Sequence, residues 1–315
     1  MKRILYILFL LLFGNSLVGQ NKLTNAIDGL KRGELDRAKE LIDAALVDTL
    51  FSDRASTWYY RGAIYKELFK KHETGNKQSP FREEALTSFK KSLEMESEGV
   101  YVKSSKQSLK FLAQTIYNHS ATSFDTQNYS TAISLYEKYK EIISFIEPGS
   151  DFMDKDIMFN LALATTYGKI AEEDTSKQKE FFDKAKKLYE EVLEKDPNNI
   201  SANYNLGILY YNEGVEIVNN MDYSLDLFEL NAVQDQIIEL FRQSLPYMLK
   251  AYELNPKRKE TLIGLQGIYF SLNDIEKSEE YKRQLEEIEG GAVDSEEGSS
   301  GGSDGAPSNG SKQAE

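Results

Sequence analysis

The chain has 315 residues, 40% of them hydrophobic and 28% charged, with a formal net charge of −13. This is a globular composition, long enough for one extended or two compact domains, and its acidic field disfavours attachment to nucleic acid or anionic lipid. It holds no cysteine, which excludes disulfides, thiolate nucleophiles, cysteine-ligated zinc and the acylated cysteine of a lipoprotein.

Residues 1–19 read as a secretory signal peptide. Lys2 and Arg3 precede a ten-residue apolar run, Ile4 to Phe13, and a small residue follows at Gly19. The run is half the length of a membrane-spanning helix, which needs about 20 apolar residues. Cutting after Gly19 is expected, although Leu17 is a poor residue three places before the break. An exported chain without disulfides relies on packing alone, which suits a bacterial envelope protein, in the periplasm first and at the cell surface or outside the cell otherwise.

The remainder reads as paired helices in chain order. Residues 21–52 carry small Ala26, Gly33, Ala38 and Ala45, and residues 53–98 carry Trp58, Gly62, Tyr65, Ala85 and Phe89. Residues 106–147 carry Ser120, Tyr129, Ala132 and Tyr136. In residues 152–199 the run "FNLALATTYG" gives Leu161 and Ala162, followed by Ala185, Tyr189, Val192 and Pro197. In residues 200–257 "NYNLGILYY" gives Leu206, Gly207 and Tyr210, with Ala251 and Pro256 downstream. Residues 258–289 give Leu265, Tyr269 and Ser278.

These spacings resemble the tetratricopeptide repeat, a unit of about 34 residues with the pattern W-x2-L-G-x2-Y, then A-x3-F, then P. The resemblance covers roughly residues 21–289 and implies an all-α fold, a right-handed superhelical solenoid of about six helix–turn–helix repeats. Its physical basis is volume. Antiparallel helices approach closely only where side chains are small, as at Ala26, Gly62, Ser120, Ala162 and Gly207, and at Ala38, Ala85, Ala132, Ala185, Ser244 and Ser278. Tyr139 and Leu285 stand where alanine is expected, and Gln266 where glycine is, so the helices should spread locally. Extra residues around 67–81, 169–181 and 216–240 lengthen three of the pairs, and Pro246 predicts a kink in the last long helix. From Gly290 to Glu315 the chain is rich in glycine, serine and acid and reads as a disordered tail.

No catalytic or metal-binding pattern emerges. The two histidines, His72 and His119, are far apart, and Asp151, Asp154 and Asp156 lack the glycine and distal glutamate of a calcium loop. The expectation is therefore a non-enzymatic protein with no cofactor and no metal. The resemblance implies that ligands lie on the inner face formed by the first helices, where an aromatic is followed by asparagine in three consecutive repeats: Tyr117 and Asn118, Phe159 and Asn160, Tyr204 and Asn205. Tyr211 and Asn212 extend this face, and Tyr59 and Tyr60 stand at its start. The asparagines either hold a ligand backbone through donor and acceptor or bond a neighbouring helix. The expected function is a scaffold or adaptor of the cell envelope that binds a protein or peptide partner. The alternatives are a self-associating structural component and an accessory subunit of a secretion or polysaccharide-processing machine.

Overall fold

The computed structural model describes residues 22–222 and 224–297; the expected signal segment and residues 298–315 lie outside them. Thirteen helices and no strand occur among the described residues. The chain divides into two compact units, Met1–Phe152 and Met153–Glu315.

The first unit begins with a helix over residues 22–32 (α1), followed by α2 (Leu35–Ala45). The turn between them needs Gly33, whose φ is +76°, and the Glu34 amide closes it on the Gly29 carbonyl at 2.9 Å. Ala26, Leu35, Ala38 and Ile42 form a core with Ile64 and Leu68 of α4 (Ala55–His72). A single-turn helix, α3 (Thr49–Ser52), has no counterpart in the sequence reading. It buries Phe51, and its Ser52 carbonyl accepts a 2.7 Å hydrogen bond from the Trp58 indole.

α4 pairs with α5 (Pro80–Met95), and α6 (Val102–Ala121) pairs with α7 (Tyr129–Ile146). Gly62 lies under the Phe89 ring, where an added Cβ would sit 2.9 Å from three ring carbons. Ser120 is fully buried and donates to the Ala132 carbonyl at 2.8 Å. Tyr139 is buried as well. It stacks on Tyr136 at 6.1 Å and meets Tyr117 at 5.1 Å, so an aromatic cluster fills the place where alanine was expected.

The second unit holds three further pairs: α8 (Met153–Glu173) with α9 (Gln178–Lys195), α10 (Ile200–Asn219) with α11 (Leu227–Leu254), and α12 (Lys259–Ser271) with α13 (Ile275–Glu297). Ala185, Ala202 and Ala251 are completely buried. Serine repeatedly fastens the two helices of a pair: Ser244 donates to the Gly207 carbonyl at 2.6 Å and Ser278 to the Gln266 carbonyl at 3.0 Å. In α8 the tight alanine is Ala164, fully buried, while Ala162 is only half-buried.

α11 is capped by a box in which Asp226 accepts from the Glu229 amide and Glu229 reaches back to the Asp226 amide. It continues unbroken through Pro246, which lies on an exposed side where water can satisfy the Arg242 carbonyl that the proline leaves without a donor. α13 runs on to Glu297, past Gly290, where the sequence reading starts the tail. Each glycine costs about 1 kcal/mol relative to alanine, but extending a formed helix avoids a new nucleation step.

Candidate interaction surface

The structure separates the predicted site residues by environment. Tyr117 and Asn118 belong to α6 of the first unit; Phe159 and Asn160 on α8 and Tyr204, Asn205, Tyr211 and Asn212 on α10 belong to the second. Tyr117 leans on Tyr136 and Tyr139, and exposed Asn118 accepts from the Gln114 amide at 2.9 Å. Phe159 is buried and serves packing.

The asparagines of the second unit bond neighbouring helices. Asn160 donates to Glu191 of α9 at 3.3 Å, and Asn212 to Glu172 of α8 at 3.1 Å. Asn205 hydrogen-bonds the Tyr189 hydroxyl of α9, which also meets Thr165 at 3.0 Å. Burial raises the Tyr189 pKa against these two bonds, so the phenol stays protonated and the network neutral.

Tyr204 and Tyr211 pack toward α12. The Arg258 guanidinium lies 3.8 Å from the Tyr204 ring centroid, and the Tyr211 hydroxyl abuts Gly267, where a Cβ would meet it at 2.8 Å. Ile208 fits against Gly264 in the same row. Beside them, Ile263, Gly267 and Phe270 fall at i, i+4 and i+7 on α12. Ile263 is 54% and Phe270 67% exposed, although both are large apolar side chains.

Phe270 also borders a second feature that the sequence reading missed. An open groove of about 1050 Å³ lies between the outer turns of α10 and α11 and the α12–α13 turn. Val218, Leu227, Leu230, Ile238, Phe241 and Leu245 supply most of its apolar wall. It exists because the pairs differ in length: α11 has 28 residues and α12 has 13. At about 1.5 Å per residue, α11 outreaches α12 by roughly 20 Å, and those turns have no following pair to cover them. The long insertion visible in the sequence was the available signal.

A polar cluster in the first unit joins three segments. Arg82 of α5 is 1% exposed and donates to His119 Nδ1 of α6 at 2.9 Å and to the Lys77 carbonyl at 2.6 Å. Because arginine can only donate, Nδ1 is the acceptor and Nε2 carries the proton given to the Thr74 carbonyl at 2.9 Å. Burial and the Arg82 and Lys77 charges hold His119 below the ordinary imidazole pKa. The cluster clasps the α4–α5 turn to α6.

Residues 188–223 match the family model of the tetratricopeptide repeat. The match spans the end of α9, all of α10 and the turn beyond it. With the helix pairs described above, the fold is that of a tetratricopeptide-repeat protein. No match was found among curated proteins. Among solved structures, a TPR repeats protein from Bacteroides fragilis is 16% identical, with 79% of this chain and 97% of that one covered and a TM-score of 0.43. PilF of Pseudomonas aeruginosa is 13% identical over 90% of this chain and 97% of its own, with a TM-score of 0.31. Human IFIT1 is 16% identical over 80% of this chain, with a TM-score of 0.34; the chain spans 46% of that protein's length. None of these likenesses extends to function.

Proposed function

We propose that the protein is a non-enzymatic interaction scaffold that acts in the bacterial cell envelope and binds a protein or peptide segment on its first-helix face. The observation that carries this reading is the exposed apolar stripe of Ile263 and Phe270 on α12, set beside half-buried Tyr204 and Tyr211 of α10. Large apolar groups exposed in one contiguous strip mark a surface that another chain covers. Tyr204 and Tyr211 border the strip, and Asn205 and Asn212 fasten the helix that carries them to α9 and α8. Export rests on the layout of residues 1–19.

A photo-crosslinking amino acid placed at Ile263, in the native cell, tests the reading. A discrete adduct with another protein is expected there and not from the same group at exposed Glu279 on the second helix of that pair. Equal, diffuse labelling from both positions would remove the first-helix face as the binding surface.

A further inference from the structure

We propose that the turn joining α4 to α5, residues 73–79, is an acid-released strap: a proton taken up by His119 frees it from α6 while the helices on either side stay folded. The strap carries no apolar side chain. Thr74, Gly75, Asn76 and Gln78 are exposed, and a Cβ on Gly75 would meet nothing within 4 Å. Packing therefore does not hold it. Beyond the bonds within the turn and to the first turn of α5, three hydrogen bonds tie it down. His119 Nε2 donates to the Thr74 carbonyl, Arg82 to the Lys77 carbonyl, and Lys77 Nζ to the Thr122 carbonyl at 3.0 Å. The first two run through one pair, His119 and Arg82.

That pair is built to fail in acid. A fully buried arginine is ordinarily matched by a carboxylate. Arg82 has none: one guanidinium nitrogen donates to the imidazole, one to a carbonyl, and Nε finds no acceptor. From α4 the Phe69 ring lies 5.5 Å from the guanidinium. The charged groups acting on His119 are Arg82 of α5 and Lys77 of the strap, both cations. The carboxylates that act on Arg82 are engaged elsewhere. Glu73 accepts from the Ser79 hydroxyl and the Phe81 amide, and Glu83 pairs with Lys138 of α7. Asp125 of the α6–α7 turn acts on Lys77 and is held by Asn128. No carboxylate is left to pair with an imidazolium.

A proton on Nδ1 turns an acceptor into a donor 2.9 Å from the guanidinium. Arg82 is 1% exposed and has nowhere to go, whereas half-buried His119 can swing into water. The swing takes Nε2 away from the Thr74 carbonyl. The open strap therefore binds the proton more tightly than the closed one, and acid shifts the population toward it. Burial and the two cations already hold the imidazole below its ordinary pKa, which is the sign this coupling requires. Lys77 and Gln78 also form one wall of an open cleft of about 390 Å³, whose other wall includes Ser130, Ser134 and Lys138 of α7. Opening the strap reshapes that cleft.

The test uses the full chain with a nitroxide on a cysteine placed at exposed Gln78, which becomes the only thiol of the protein. Electron paramagnetic resonance line shapes are recorded between pH 7.5 and 5.0, with helical circular dichroism alongside. The mobile component should rise at least threefold at constant helicity. Its midpoint should fall below the ordinary imidazole value of about 6.5 and coincide with one of the two imidazole NMR titrations, the one that His119→Gln removes. His119→Gln keeps a donor and an acceptor but does not titrate, so its label should stay fixed down to pH 5.0. His72→Gln, at an exposed position beside the strap, should behave as the parent does. Arg82→Gln removes the facing charge and should let His119 titrate at a higher pH. A label that stays fixed after the His119 signal has titrated would overturn the proposal, and so would the same rise in His119→Gln. A rise that tracks loss of helix, or an equal rise from a label at exposed Glu98 in the α5–α6 turn, would show general loosening and overturn it as well. Unchanged titration of His119 in Arg82→Gln would do so independently, by showing that the two groups do not oppose each other.

Discussion

Met248 lies between two glycines, Gly207 of its own helix pair and Gly264 of the next. A Cβ on Gly207 would stand 2.5 Å from Met248 Cγ and 3.2 Å from its backbone nitrogen, whereas one on Gly264 meets the mobile Cε end of the side chain. Gly207→Ala should therefore destabilise the protein by about 1–3 kcal/mol, since backbone must move, and Gly264→Ala by clearly less. Urea midpoints of the two variants check this, and equal midpoints would contradict it. Gly207 was legible in the sequence because close helix approach demands a missing side chain. The serine bonds at Ser120, Ser244 and Ser278 were legible only as small volume, since the carbonyl each meets belongs to the facing helix. The same limit applied to the asparagines. Their spacing puts them at a helix surface, but whether a ligand or Glu191, Glu172 and Tyr189 stands opposite depends on offsets between helices that spacing does not encode.

The helices themselves were readable from apolar period and caps, and the long pairs from their extra residues. α3 was not, because four residues carry too little periodicity. α13 extends past Gly290 and Gly291, which mark a break in isolation but not behind an established helix. The clasp of α5, the α4–α5 turn and α6 also lies beyond sequence reading, since Arg82 and His119 are far apart in the chain. It predicts a pH dependence. His119 titrates below its unfolded value of about 6.5, so its contribution is complete above that pH. As the pH falls through and below 6.5, the unfolded chain takes up the proton first and stability declines. In the native state a proton on Nδ1 would also face the Arg82 guanidinium and end its hydrogen bond. Urea unfolding at pH 7.5 and 5.5 should show this decline, with His119→Gln flattening it; a variant as pH-sensitive as the parent would remove the clasp as its source.

Across the molecule, stability comes from pairs covering one another, because a lone pair leaves one apolar face in water. In the first unit Ile64 and Leu68 of α4 complete the core of α1 and α2, and in the second Tyr204, Ile208 and Tyr211 complete that of α12 and α13. The projecting turns of α10 and α11 are where this cover runs out, and the open groove beside them is its direct consequence. Native-state hydrogen exchange of the full chain tests this dependence most directly. The account predicts that, within each unit, buried amides of the inner pairs share one high opening free energy, while α1 and the outer turns of α10 and α11 exchange sooner. Separate opening energies for each helix pair, uncorrelated with its neighbours, would contradict it.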